Sequence, residues 1–361
     1  MRKRQITALI LVLVMLTTSV FSMTGCAAPE KENHMETVIF TDSCGREVEI
    51  PTEIDEIVPS GDLAQIILYT FDPELFLGFS TALTKVQKQF IDEKYWELPV
   101  FGKFYGSGST VNYEEIIKAD PDVIIDMGEF KEGIREDMDK LQADTGIPVL
   151  FIQANIDTMD EAYEALGKIT GNIERGKTLS TYITDTIEEM EALASVIPES
   201  ERKRVLYAQG EYATEVNAVG SIHSEILDII GAVNVAELGE LGKDTAKEVS
   251  MEQIMLWDPE LLILAPDSCY EDIFDDEAWA GITAVKNGDV YEAPLGPYSW
   301  IDRPPSVQRI LGMQWLGSII YPEEFSYSIE ERAQEFFQLF LHYDISDAEL
   351  FAIMKNSVRI Q

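Results

Sequence analysis

The segment VNYEEIIKADPDVII, which starts at Val111, recurs as VSMEQIMLWDPELLI from Val249, so that Glu114 and Glu252 stand at equivalent places 138 positions apart. Each copy opens on a polar residue suited to capping a helix, Asn112 or Ser250, and carries its glutamate in the first turn of a short amphipathic stretch. An Asp-Pro break follows, Asp120-Pro121 or Asp258-Pro259, and then an apolar run with strand character. A helix-to-strand unit repeated at domain spacing calls for two similarly built α/β lobes, and two such lobes enclose a cleft. The chain has 361 residues, more than one core usually serves, and its 46% hydrophobic content is ample for two.

The surroundings of the repeats alternate in the same way. Residues 37–40 and 48–50 flank a turn-rich stretch and predict an opening hairpin. Residues 54–58, 75–79, 123–127 and 148–152 read as strands of a first lobe. Residues 205–208, 233–236, 261–264 and 290–292 read as strands of a second, with helical patterns between them. From 158 to 196 there is neither proline nor strand character, and Gly171-Asn172 marks a break. The part after that break, at about 1.5 Å per residue, is long enough to act as a stiff spine the height of a lobe. The expected fold is α/β: two doubly wound lobes, 37–157 and 198–361, joined by one long rigid interdomain helix within 158–197, with the ligand cleft between them. The second lobe ends in amphipathic helices.

Charge and the N-terminus narrow the function classes. A formal charge of −38, with the only dense basic cluster at Arg2-Lys3-Arg4, disfavours binding to a phosphate backbone, so no nucleic-acid partner is expected. That cluster precedes the apolar run 6–20, and the whole reads as a secretory signal, too short and wrongly flanked for a membrane span. Met23-Thr24-Gly25-Cys26 resembles a bacterial lipobox, which implies cleavage before Cys26 and a lipid anchor on its sulfur. Residues 1–25 are then the signal and 26–36 a flexible tether, placing the protein on the extracytoplasmic face of the cell membrane; cleavage would take the formal charge from −38 to −41. Cys44 and Cys269 remain, and a disulfide between them is chemically allowed outside the cytoplasm although they lie in different lobes.

Taken in order, Thr41-Asp42 with Gly45-Arg46 and Val48, the paired repeats, Gly146-Ile147-Pro148-Val149, the turn Ala284 to Gly288 with Val290-Tyr291, and Leu311-Gly312 with Trp315-Leu316 carry a resemblance over almost the whole mature chain. The chain resembles the substrate-binding lipoproteins of bacterial ABC importers, in the class that serves iron-siderophores, haem, cobalamin and related metal chelates. The resemblance implies a monomeric, non-enzymatic protein that takes up a small-molecule ligand and delivers it to an ABC permease dimer with its ATPase. It also implies that Glu114 and Glu252 dock on arginines of that dimer. Helix-dipole capping accounts equally for either glutamate taken alone.

Ligands of open α/β lobes sit beyond the carboxyl ends of the strands, and the loops there hold Ser60, Lys103, Tyr105, Tyr212, Tyr270, Tyr298, Trp300 and Arg303. Aromatic faces suit a macrocycle or catecholate, and a cation suits a carboxylate or oxyanion. Ser60-Gly61-Asp62 either offers N–H groups to an anion or caps a helix, and Arg303 either meets ligand or pairs with Asp302 or another carboxylate. The three histidines, His34, His223 and His342, show no ligand spacing, so no directly bound metal and no cofactor are expected, and a prebound chelate fits better as the ligand. Two alternatives stand beside it: an oxyanion such as molybdate or tungstate in the same fold, and a lipid-anchored hydrolase, for which no nucleophile motif appears.

Overall fold

The computed structural model describes residues 36–104, 109–239, 241–242, 245–266 and 268–358. The signal, the lipobox with Cys26, the tether up to residue 35, His34 and Tyr105 therefore lie outside the described residues.

Strands β1 (Thr37–Thr41) and β2 (Glu47–Pro51) form the opening antiparallel hairpin. Its turn is fastened by charge. Asp42 accepts from the backbone N–H of Cys44 (3.1 Å) and Arg46 (2.9 Å), and its second oxygen meets the Arg46 guanidinium at 3.1 Å. Arg46 donates on to Val149 O (2.8 Å), Asp139 (2.7 Å) and Gln142 Oε1 (2.9 Å), tying the hairpin to the lobe behind it. Beside this network Cys44 is a free thiol, its pKa pushed up to about 11 by burial and the adjoining Asp42 carboxylate; Cys269 is free as well, so the disulfide allowed by the sequence is not formed.

The first lobe continues through β3 (Ile57–Pro59), α1 (Asp62–Phe71), α2 (Tyr113–Ala119), β4 (Val123–Gly128), α3 (Ile134–Thr145) and β5 (Val149–Gln153). Its sheet is parallel in the order β3-β4-β5. Strand alternation sends Ile124, Val149 and Phe151 outward onto α2 and α3, and Ile125, Leu150 and Ile152 inward to the central core. Residues 75–79, expected as a strand, make only isolated bridges, Ile57 with Phe76 and Phe79 with Val100. Pro73 starts a tight 3-10 turn there, the Asp72 side chain accepts from Glu74 N, and Gly78 is pressed against the Pro99 carbonyl, so the backbone is spent on a turn.

The helical connection is α4 (Met159–Thr170) and α5 (Ile173–Ser195), split where the sequence places the break: Gly171 takes the left-handed C-cap at φ 76° and Asn172 caps Arg175 N. The second lobe runs β6 (Arg204–Gln209), β7 (Glu215–Val216), α6 (Glu225–Ile229), β8 (Val233–Asn234), β9 (Lys247–Glu248), α7 (Met251–Trp257), β10 (Leu261–Leu264), α8 (Thr283–Asn287) and β11 (Val290–Glu292). Its sheet has the order β11-β10-β6-β7-β9 with β8 also on β6; β11, β10, β6 and β8 are parallel, β7 and β9 antiparallel. Helices α2 and α7 are both seven residues long, both capped from the side chain at the start, and both ended by a left-handed aspartate, Asp120 (φ 53°) or Asp258 (φ 40°), ahead of proline. The repeat is thus structural as well as textual.

Helices α9 (Gln308–Ile320), α10 (Ile329–Leu341) and α11 (Asp347–Ile353) close the chain. The spine α5 packs on α1 of the first lobe, on α4 beside it in the connection, and on α6 and α9 of the second lobe. Although α10 follows the second lobe in sequence, it lies on the first: Phe337 meets Phe90 at 5.6 Å and Phe340 meets Tyr163 at 5.8 Å. Arg175 of α5 stitches the same seam by donating to Phe71 O (2.8 Å), Thr70 O (2.7 Å) and Leu339 O (2.8 Å). One apolar core therefore runs from Val48 through the spine to Met354, and the sequence boundary at 198 does not divide it. Among the described residues no helix is long and apolar enough to cross a membrane.

Candidate functional site

Beyond the carboxyl ends of β3 and β11, the two lobes enclose a cavity of about 210 Å³, lined from the first lobe by Asp62, Gln65, Thr81 and Lys103 and from the second by Tyr298 and Arg303. Helix α1 sets the first wall. Gln65, one turn in, accepts at Oε1 from Ser80 N (2.8 Å), Ser80 Oγ (2.9 Å) and Thr81 N (3.0 Å), which fixes the 80–81 turn against the helix. Asp62 accepts from Thr81 Oγ1 at 2.7 Å and, through its other oxygen, pairs with Lys103 Nζ. On the facing wall, Arg303 holds a left-handed backbone at φ 65°, rare for a residue with a side chain, and its guanidinium lies 3.6 Å from Glu215 of β7. The Tyr298 hydroxyl is buried beside Gln65, and burial raises its pKa, with Gln65 acting the other way.

Of the residues expected at the ligand, Lys103, Tyr298 and Arg303 converge on this cavity. Ser60 does not: it is buried, its hydroxyl donates to Asp126 and its carbonyl takes Phe104 N at 3.0 Å. Trp300 is likewise no cleft wall. It is fully buried, donates Nε1–H to Gly296 O at 3.2 Å, and its backbone lies over Gly312, whose missing side chain lets the strap sit down on α9. Tyr212 is 68% exposed and Tyr270 packs edge-on against Phe274 at 5.8 Å; neither lines the cavity, although Ser268 Oγ–Gly210 O (2.8 Å) brings their loops together. Asp62 enters the sequence reading only as part of Ser60-Gly61-Asp62, and Gln65 and the Arg303 partner Glu215 do not enter it. The i, i+3 spacing of Asp62 and Gln65 at the start of a helix is the sequence signal for Gln65.

A second point of contact between the lobes lies beside this cavity. Buried Arg309 donates to Ile222 O (2.7 Å) and Glu225 (2.5 Å), while Glu129 and Asn155 approach from the first lobe. Burial raises the Glu225 pKa against the pull of Arg309, and Asp157 and Glu129 raise it further. His223 Nδ1 is 2.7 Å from the buried Asp302 carboxylate, which fixes the imidazole next to the 296–305 strap.

Asp126, at the cleft end of β4, has its pKa raised to about 6 by burial, with the Ser60 hydroxyl acting the other way. The folded protein thus holds a proton there that the unfolded chain, near 3.8, has released, so between about pH 4 and 6 stability falls as pH rises and stays lower above that window. Asp126→Asn is expected to flatten this part of the profile and raise the melting temperature at pH 7, measured by thermal scans from pH 4 to 8. An unchanged slope would reject the raised pKa of Asp126 as a source of the pH dependence.

Glu114 and Glu252 are both exposed in the first turns of α2 and α7. Glu252 has its pKa lowered by its own backbone N–H and the Ser250 hydroxyl, so it is a carboxylate at neutral pH.

Two α/β lobes, one spine helix and a cleft at the strand ends define a two-lobed ligand-binding architecture. Residues 94–295 match the family described as periplasmic binding protein, and the chain belongs to that family. Membership places the protein outside the cytoplasm. The fold is similar to that of an ABC transporter solute binding protein from Sulfurospirillum deleyianum, at 31% identity and a TM-score of 0.80, covering 88% of this chain and 99% of that one. A periplasmic solute binding protein from Veillonella parvula is 28% identical with a TM-score of 0.76, over 90% and 98% of the two chains. A molybdate periplasmic binding protein from Haemophilus influenzae, solved with molybdate bound, is 20% identical with a TM-score of 0.68 over 86% and 99%, a likeness of fold alone. No curated protein sequence matches this chain.

Proposed function

We propose that this protein is the solute-binding component of an ABC importer, held to the membrane by a lipid on Cys26, and that it captures a compact metal chelate for delivery to the permease dimer and its ATPase. The observation that carries this reading is the cavity of about 210 Å³ whose lining includes a cation from each lobe, Lys103 and Arg303. A solute that engages both cations holds the lobes together. The volume lies below the roughly 300–1,000 Å³ of sites that enclose a drug-sized ligand, so a haem or corrinoid ring would overhang the mouth. The same small volume favours a second reading, an oxyanion of the molybdate type.

Thermal shift of the purified mature protein against ferric siderophores, nickel chelates, haem, a corrinoid and molybdate tests both. A ligand at a hundredfold excess over its Kd stabilises by about 2.7 kcal/mol, well within detection. No shift with any of the panel would reject solute binding of these classes. For docking, charge reversal at both Glu114 and Glu252 is expected to abolish uptake in proteoliposomes carrying the cognate permease–ATPase complex while ligand affinity stays within twofold; normal uptake by the double variant would remove these glutamates from the interface.

A further inference from the structure

The two repeat helices match in length and caps, but not in the face they leave uncovered. On α2, Glu114, Ile117 and Lys118 stand at i, i+3 and i+4 and share one side; on α7 the same places hold Glu252, Met255 and Leu256. Ile117 is 47% exposed and Met255 45%, so each lobe turns out a glutamate and, one turn on, a half-open aliphatic side chain. Neither glutamate forms an ion pair among the described residues. The last place differs. The first lobe has an exposed Lys118, and the second has Leu256, at 78% the most exposed large apolar side chain among the described residues.

From this difference we infer that the two lobes dock unequally on the permease dimer: Met255 and Leu256 make an apolar contact that anchors the second lobe, and Lys118 leaves the first lobe more weakly held. The occupant is the pair of permease subunits because the patch is duplicated. Two like surfaces at repeat-equivalent places fit a partner that offers one element twice, each element presenting a cation to the glutamate and an apolar side chain one helical turn away. Isolated exposed aliphatics are ordinary on a protein surface; two together beside an unpaired carboxylate, echoed in part by the other repeat, are not isolated. Charge then separates the lobes. Lys118 stands one turn from Glu114, within reach of its carboxylate, so it competes with the partner's cation and repels it. Leu256 brings no such competition, and covering it also removes apolar area from water.

This inference rests on the docking reading above, and the test keeps the two apart. Biolayer interferometry would measure the affinity of the mature protein for the cognate permease–ATPase complex in nanodiscs. The parent would be compared with Leu256→Gln, Lys118→Leu and the charge-reversed Glu114→Lys/Glu252→Lys. Leu256→Gln, which leaves the charge unaltered, is expected to weaken docking about tenfold. Lys118→Leu is expected to tighten it about threefold, since it removes a repulsion and adds apolar area. Both side chains are exposed, so melting temperature and solute affinity should stay at the parent's values, which shows that the variants are folded. Docking by Leu256→Gln within twofold of the parent, or no tightening by Lys118→Leu, would overturn the inference. If the charge-reversed variant still lost docking in that event, the glutamates would stand as the contact without the apolar anchor; if it docked normally, both readings would fall.

Discussion

Gly312→Ala is expected to loosen the ligand-facing strap and destabilise the whole protein. A β-carbon at this position would lie 1.8 Å from the Trp300 carbonyl oxygen and 2.8 Å from its carbon, far inside contact distance, and the obstacle is backbone on both sides. Helix α9 cannot yield, because it is buried along nearly its whole length, and the strap cannot yield without lifting Trp300 out of the core. Overpacking commonly costs about 1–3 kcal/mol, and a clash between two backbones belongs at or above the top of that range. The melting temperature should fall by roughly 5–10 °C. Ligand affinity should fall as well, since Tyr298 and Arg303 ride on the same strap. A variant with unaltered melting temperature and affinity would show that the strap does not depend on close approach at Gly312.

The second large effect belongs to the opening turn. Arg46→Met would strip the cation from Asp42, whose side chain is fully buried, and would leave Val149 O, Gln142 and Asp139 without their shared donor. Removing one partner of a buried pair typically costs about 3–5 kcal/mol. The three backbone N–H groups that reach Asp42, from Cys44, Arg46 and Phe151, hold the loss within that range rather than beyond it. The double variant Asp42→Asn/Arg46→Met should recover part of the loss, because an amide needs no counter-charge. Urea denaturation midpoints check both; a double variant no more stable than the single one would mean that Arg46 acts by bracing α3 and β5 rather than by neutralising Asp42.

Features encoded by neighbouring residues are legible in the sequence alone. The repeat predicts helices of matched length with matched caps, and α2 and α7 have both. Gly171-Asn172 predicts the start of the spine to the residue, because a left-handed C-cap followed by a side-chain N-cap is a local signal. In the site, the loops after strands bring Lys103, Tyr298 and Arg303 to the cavity. Their partners are not legible, since Asp62 is 41 positions from Lys103 and Glu215 is 88 from Arg303, and nothing local couples such pairs. Trp300 misleads for a similar reason. An indole in a polar, proline-rich strap reads as a ligand face, and what buries it is an absent side chain twelve residues further on. Ser60 misleads because a serine ahead of a helix ordinarily serves that helix, whereas here a buried carboxylate 66 positions away claims its hydroxyl.

The placement of α10 on the first lobe sets an order of events in the life of the chain. The core that begins at Val48 is completed by Phe336, Phe337 and Phe340, so no earlier portion holds all the apolar surface it must bury. A polypeptide delivered across a membrane from its N-terminus would have to wait for nearly its last residues before the first lobe could close. Until then Phe90 and Tyr163 lack their partners, and the nascent protein would expose an apolar seam to whatever shares the space outside the cell membrane.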